Sequence, residues 1–225
     1  MKIRRSLIRA MAFGCFMAVS ATQLIYADPA AIVDGERDLL SDVQAQWAKI
    51  NYELDEEQRA AAFSDLSKTT ERWTTQQPKN AAAFIWHGIV LSSQAGAQGG
   101  LGALSLVKAA RDSLENSLKL DPKALQGSAH TSLATLYSKV PGFPIGFGSD
   151  KKARQHFEQA LALNPNGIDP NFFYAEFLAE EGERERAIEH LQRALAAPAR
   201  SGRELADNGR RTEIQNLLTI LRAKS

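Results

Sequence analysis

Little in this chain can cross-link or act as a thiol: Cys15 is the one cysteine in 225 residues, which excludes a disulfide framework and a thiolate metal centre. A surplus of one charge is lacking too, since 27 Lys and Arg stand against 26 Asp and Glu. Phosphate backbones attract proteins through clustered cations, so no nucleic-acid partner is expected. Alternating strand patterns of useful length are missing. His87, His130, His156 and His190 form no H-E-x-x-H, and no G-x-S-x-G elbow is present. No catalytic residue, metal or cofactor is therefore expected. His87 and His130 sit at packing positions, whereas His156 and His190 read as partly exposed surface residues.

What remains is an ordinary globular composition, 44% apolar, sufficient for one domain or a short repeat array. It begins with a leader. Lys2, Arg4, Arg5 and Arg9 precede an apolar run from Ala10 to Val19, and small residues follow at Ser20 and Ala21. That order is the order of a secretory signal peptide, the run being too short to span a bilayer. Cleavage after Ala21 or Ala27 fits, so residues 1–27 are assigned to the leader. Export, with the periplasm as destination and no stable transmembrane segment afterwards, is the expectation. Cys15 would leave with the leader, and Ala12-Phe13-Gly14 lacks the lead-in of a lipid-anchoring box.

Elsewhere apolar residues recur at steps of three and four, which predicts an all-α fold. The expected helices span residues 35–52, 56–75, 80–95, 101–120, 124–139, 150–163, 170–181, 183–196 and 203–223. Pro122, Pro165 and Pro198 each fall just past a helix, where a residue without N–H ends it. Before them stand Ala110, Leu114 and Ser117; then Ala153, Phe157 and Ala160; then Ala187, Leu191 and Ala194. The preceding helices align as well: Phe84, His87, Gly88 and Leu91; His130, Leu133, Ala134 and Tyr137; Asn171, Tyr174, Ala175 and Leu178.

This triple pattern resembles the tetratricopeptide repeat, W-x2-L-G-x2-Y followed by A-x3-F and a proline. Small residues at 88, 134 and 175 meet small residues on the partner helix, so the helices cross closely. The domains read as 28–79, an N-terminal helical segment; 80–198, three repeats; and 199–225, a capping helix. Leu205, Ile214, Leu217, Leu218 and Leu221 give that cap one apolar face. Arg200, Arg203, Arg210 and Arg211 read as solvated.

The first two repeats carry insertions between their helices, at Ala95–Gly102 and Val140–Asp150, and both are expected to be loops on one edge. Neither has phosphate-binding spacing. Phe143, Ile145 and Phe147 either pack on their own repeat or form a rim for a partner.

The tetratricopeptide resemblance implies a ligand-binding concave groove. Carried over by position, its lining is Ala82, Ile85, Ile89 and Ser92 on one helix; Ser128, Thr131, Thr135 and Ser138 on the next; and Asp169, Phe172, Glu176 and Ala179 on the third. No Lys or Arg is among them, which disfavours a peptide carboxylate clamp. The groove suits an apolar segment, an acyl chain or a helix, or is filled by the N-terminal helices through Trp47 and Trp73. A narrower resemblance, at Lys152–Leu161 and Asn171–Ala175, is to the T component of tripartite ATP-independent periplasmic (TRAP) transporters. It implies a scaffold engaging a protein partner, a periplasmic solute-binding protein, with an apolar small molecule or lipid as the alternative ligand.

Overall fold

The structure is a computed structural model that describes residues 29–223. The expected leader and its cleavage sites lie outside the described residues. The helices are α1 (Pro29–Tyr52), α2 (Glu56–Gln76), α3 (Ala81–Gln98), α4 (Gly100–Leu120), α5 (Ser128–Lys139), α6 (Asp150–Leu163), α7 (Ile168–Glu180), α8 (Arg184–Leu195) and α9 (Glu204–Ala223). A short 3₁₀ turn, Ala124–Gly127, precedes α5.

Local chemistry sets most boundaries. The Asn80 side chain accepts the N–H groups of Ala82 and Ala83 to start α3, and Ser149 accepts that of Lys152 to start α6. Each satisfies donors that the first helical turn leaves open. Leu125 and Gln126 were expected inside a helix. They hold left-handed backbone instead, with φ of 46° and 54°, and α5 begins only after them.

The Ala95–Gly102 loop is not found. α3 runs through Gln98 and α4 starts at Gly100, leaving Gly99 alone between them with φ +61°. The insertion lengthens both helices, because Ala95 is buried and Ala97, Leu104 and Leu106 pack on the core, so helical burial outweighs the glycines' preference for loop. The second insertion is a loop as expected.

Antiparallel pairs form from α3 with α4, α5 with α6, and α7 with α8, with α2 against α3. Close crossing depends on small residues. Ala110, Ala134, Ala153, Ala175 and Ala187 are all 0% exposed, and a Cβ on Gly88 would stand 2.6 Å from Leu114 Cγ. Phe157, Leu133, Leu178 and Leu191 fill the spaces between pairs. Trp73, Phe63 and Val43 make a second core under the N-terminal helices.

The odd-numbered helices also pack in sequence: α1 on α3, α3 on α5, α5 on α7, α7 on α9, and α9 back on α1. The concave side of the solenoid is thereby closed into a ring. At the closure the Tyr52 ring lies directly on Gly209, where an added Cβ would meet ring carbons at 2.4 Å.

Candidate functional site

The ring surrounds a half-open cavity of about 640 Å³, within the roughly 300–1,000 Å³ of small-molecule sites. α1 contributes Trp47 and Tyr52, α3 Trp86 and Ile89, α5 the stripe Ser128, Thr131, Ser132 and Thr135, and α7 Asp169 and Phe173. The turn before α9 and α9 itself add Arg200, Arg203 and Arg210. Leu125 and Gln126 line it too, so the left-handed pair sits where non-glycine strain is most often retained for function.

Of the groove residues expected from the repeat pattern, Ile89, Ser92, Ser128, Thr131, Thr135 and Asp169 line this cavity. Ile85 does not: it is 0% exposed and belongs to the core. Phe172 and Glu176 line a shallower neighbouring cleft, while Ala82, Ser138 and Ala179 line neither. On α3 and α7 Trp86 and Phe173 line the cavity in place of Ile85 and Phe172, beside Ile89, Ser92 and Asp169, which stand where expected. α1 only partly fills the groove: Trp47 forms one wall and Trp73 is buried elsewhere.

The hydroxyl wall is less rich in donors than its composition implies. Ser92 donates to the Gly88 carbonyl, Ser93 to Ile89 and Thr135 to Thr131. Trp47 Nε1 donates to Ser93 Oγ at 2.8 Å, and its ring meets those of Tyr52 and Trp86 edge-on.

The arginines expected to be solvated are not. Arg210 is 7% exposed, bonded to Asp169 at 3.1 Å and Glu213 at 2.5 Å, with the Phe172 and Phe173 rings beneath it. Arg200 bridges Asp169 at 2.7 Å and Asp207. Arg211 donates to the Leu195 and Ala197 carbonyls, closing the C-terminal end of α8. Arg203 alone of the four has no hydrogen bond or ion pair among the described residues; its guanidinium lies 5.3 Å from the Trp86 ring centroid. Burial, and then Arg200, draw its pKa down against the pull of Asp169 and Asp207. The sequence cannot foretell these placements, because Asp169 lies 41 positions from Arg210 and meets it only when the ring closes.

One histidine departs from expectation. His190 is buried and bonds Asn171 Oδ1 at 2.8 Å, while Asn171 Nδ2 donates to the Pro165 and Gly167 carbonyls. His156 is partly exposed, as expected, shares a 2.9 Å bond with His130 and stacks on Tyr137. Burial first, then His130 and Lys152, push the His156 pKa down to about 4. His87 bonds Thr70 at 2.9 Å, a packing role as read from its position.

The rim divides. Phe143 and Ile145 are 94% and 67% exposed, whereas Phe147 meets Tyr137 edge-on and lies under Arg111.

Paired antiparallel helices, small residues at each crossing and a lined concave face define a tetratricopeptide-type solenoid. A thermophilic TPR protein of Thermus thermophilus shares this fold, with 13% identity, a TM-score of 0.53, and coverage of 82% of this chain and 94% of its own. No curated protein matches the chain in sequence. The chain belongs to the TRAP transporter T-component family, whose model matches residues 22–218. Among the described residues no helix is long and apolar enough to cross a membrane.

Proposed function

We propose that the chain is an exported, non-catalytic scaffold of a TRAP transporter that holds a small solute in its ring cavity while a periplasmic solute-binding protein docks outside. The half-open cavity of about 640 Å³, walled by Trp47, Trp86 and Phe173, carries this reading. Contact between α1 and α9 narrows the groove, which favours a small molecule over an extended peptide that needs its full length. The exposed Phe143 and Ile145 support the second half, since an apolar loop tip left in water gains by burial in a partner.

Native mass spectrometry of the protein taken from its own envelope tests the cavity, and crosslinking there tests the partner. A bound small molecule, lost in Ser132→Trp with the fold retained, is the expected result. An empty protein crosslinked to no solute-binding protein overturns the proposal.

A further inference from the structure

Beside the ring cavity, α7 and α9 leave an open cleft of about 410 Å³, lined by Phe172, Phe173, Leu217 and Ile220 together with Glu176 and Glu213. Ile220 is 52% exposed; among the described residues only Leu120, Phe143 and Ile145 are other large apolar side chains so open to water. Glu176 is half-buried, and among the described residues it accepts no hydrogen bond and forms no ion pair. Its cationic neighbours are committed elsewhere: Arg210 to Asp169 and Glu213, and Lys139 to Glu180. Burial raises the Glu176 pKa, Glu180 and Glu213 push the same way, and Lys139 and Arg210 offset this only in part.

A carboxylate drawn partly out of water without a partner is costly, and an incoming cation recovers that cost. Glu176, Glu180 and Glu213 face two cations, Lys139 and Arg210, so the cleft presents one uncompensated negative charge among apolar side chains. A lysine answers both features, since its stem covers apolar surface while its ammonium reaches the carboxylate. Because Glu176 keeps part of its hydration, a compact, strongly hydrated ammonium suits it better than a planar guanidinium. Position indicates what carries that lysine. Lys139 ends α5 at the root of the loop that exposes Phe143 and Ile145, and its ion pair with Glu180 ties this root to α7, one helical turn from Glu176. A protein seated on the loop tip is therefore within reach of the cleft.

We infer that the cleft between α7 and α9 is a second docking contact for the solute-binding protein, which inserts a lysine whose ammonium pairs with Glu176 while its stem lies on Phe172, Leu217 and Ile220. This rests on the proposed docking role and names the surface and the partner's chemistry. The loop tip and the cleft then form one interface: an apolar anchor at Phe143 and Ile145, and a single charge pair that fixes the register of the partner.

Two crosslinkers applied to the full chain in its own envelope test the inference: a water-soluble carbodiimide, which joins a carboxylate directly to a touching amine, and a longer amine-to-amine reagent, which reports docking however it is made. Mass spectrometry of the linked peptides should find Glu176 joined to a lysine of the solute-binding protein. Glu176→Gln and Glu176→Lys should each lower the amine-to-amine product about tenfold or more, and Ile220→Ser should lower it severalfold. Exchanging the partner's linked lysine for Glu should restore docking to Glu176→Lys. Circular dichroism melting verifies that each variant is folded. Carbodiimide links from Glu176 only to Lys139, to a second copy of the chain or to a small amine overturn the inference. Amine-to-amine docking that Glu176→Lys leaves unchanged also overturns it, and the docking reading stands. No link to a solute-binding protein with either reagent overturns both.

Discussion

Replacing Asp169 with Asn removes one charge from the point where α7, the turn before α9 and α9 meet. Asp169 accepts from Arg200 at 2.7 Å and from Arg210 at 3.1 Å. Asn keeps one acceptor oxygen but cannot neutralise either cation. Arg210, 7% exposed, would then rely on Glu213 and two ring faces. Removing one partner of a fully buried ion pair costs about 3–5 kcal/mol. The Asp169 side chain is 29% exposed, so screening and the surviving amide bond reduce the expected loss to about 2–3 kcal/mol. For a chain of this size that lowers Tm by about 5–10 °C.

The loss must also depend on pH. Burial alone would raise the Asp169 carboxyl, but Arg210 and then Arg200 outweigh it and hold the pKa below the usual carboxylate range. A depressed carboxylate pKa contributes stability that is complete above the unfolded value, about 3.9, and is lost as pH falls through the folded value. Thermal melts by circular dichroism should therefore show wild type and Asp169→Asn far apart at neutral pH and converging in strong acid. A variant that melts with the wild type at neutral pH, or a gap that persists unchanged in strong acid, refutes the ion-pair argument.

Gly88→Ala drives a methyl into Leu114 and the Ala110 carbonyl, and should lower the urea-unfolding free energy by about 1–3 kcal/mol through overpacking. His156, held neutral with a pKa near 4 against an ordinary 6.5, makes folding weaken as pH falls from 6.5 towards 4, because the unfolded chain takes up the proton first. His156→Phe should flatten that stability-against-pH curve; an unchanged slope assigns it to other groups. Phe143→Ser should leave Tm unaltered while reducing crosslinking to a solute-binding protein. Phe147→Ser should cost about 1–2 kcal/mol through its contacts with Tyr137 and Arg111, and an equal melting effect for both would contradict the division of the loop.

The helices were legible because their signals are local. Asp150–Leu163 starts at its capping serine and ends before Asn164 and Pro165, as spacing predicts. The crossings at Gly88, Ala134 and Ala175 were legible for the same reason, since a repeat presents one steric demand three times. Composition misled at Ala95–Gly102, where glycines imply a loop but burial on both sides keeps the backbone helical. The candidate site was half legible. The stripe of α5 follows the repeat register, whereas a turn of about 100° per residue is enough to exchange Ile85 for Trp86 and Phe172 for Phe173. Arg200, Arg203 and Arg210 escaped notice because an arginine on a terminal helix looks solvated until that helix is known to fold back across the first.

Contact between α9 and α1 also changes how the chain must fold. An ordinary solenoid is a linear array in which each unit leans on its neighbours, and an end unit can fray without disturbing the rest. Here the first and last helices share a surface, as the seating of Tyr52 on Gly209 illustrates. The ends cannot loosen independently, so the molecule should unfold in a single cooperative step rather than by unzipping. During synthesis the ring has no fifth side until α9 has been made, and only the finished chain can complete the cavity.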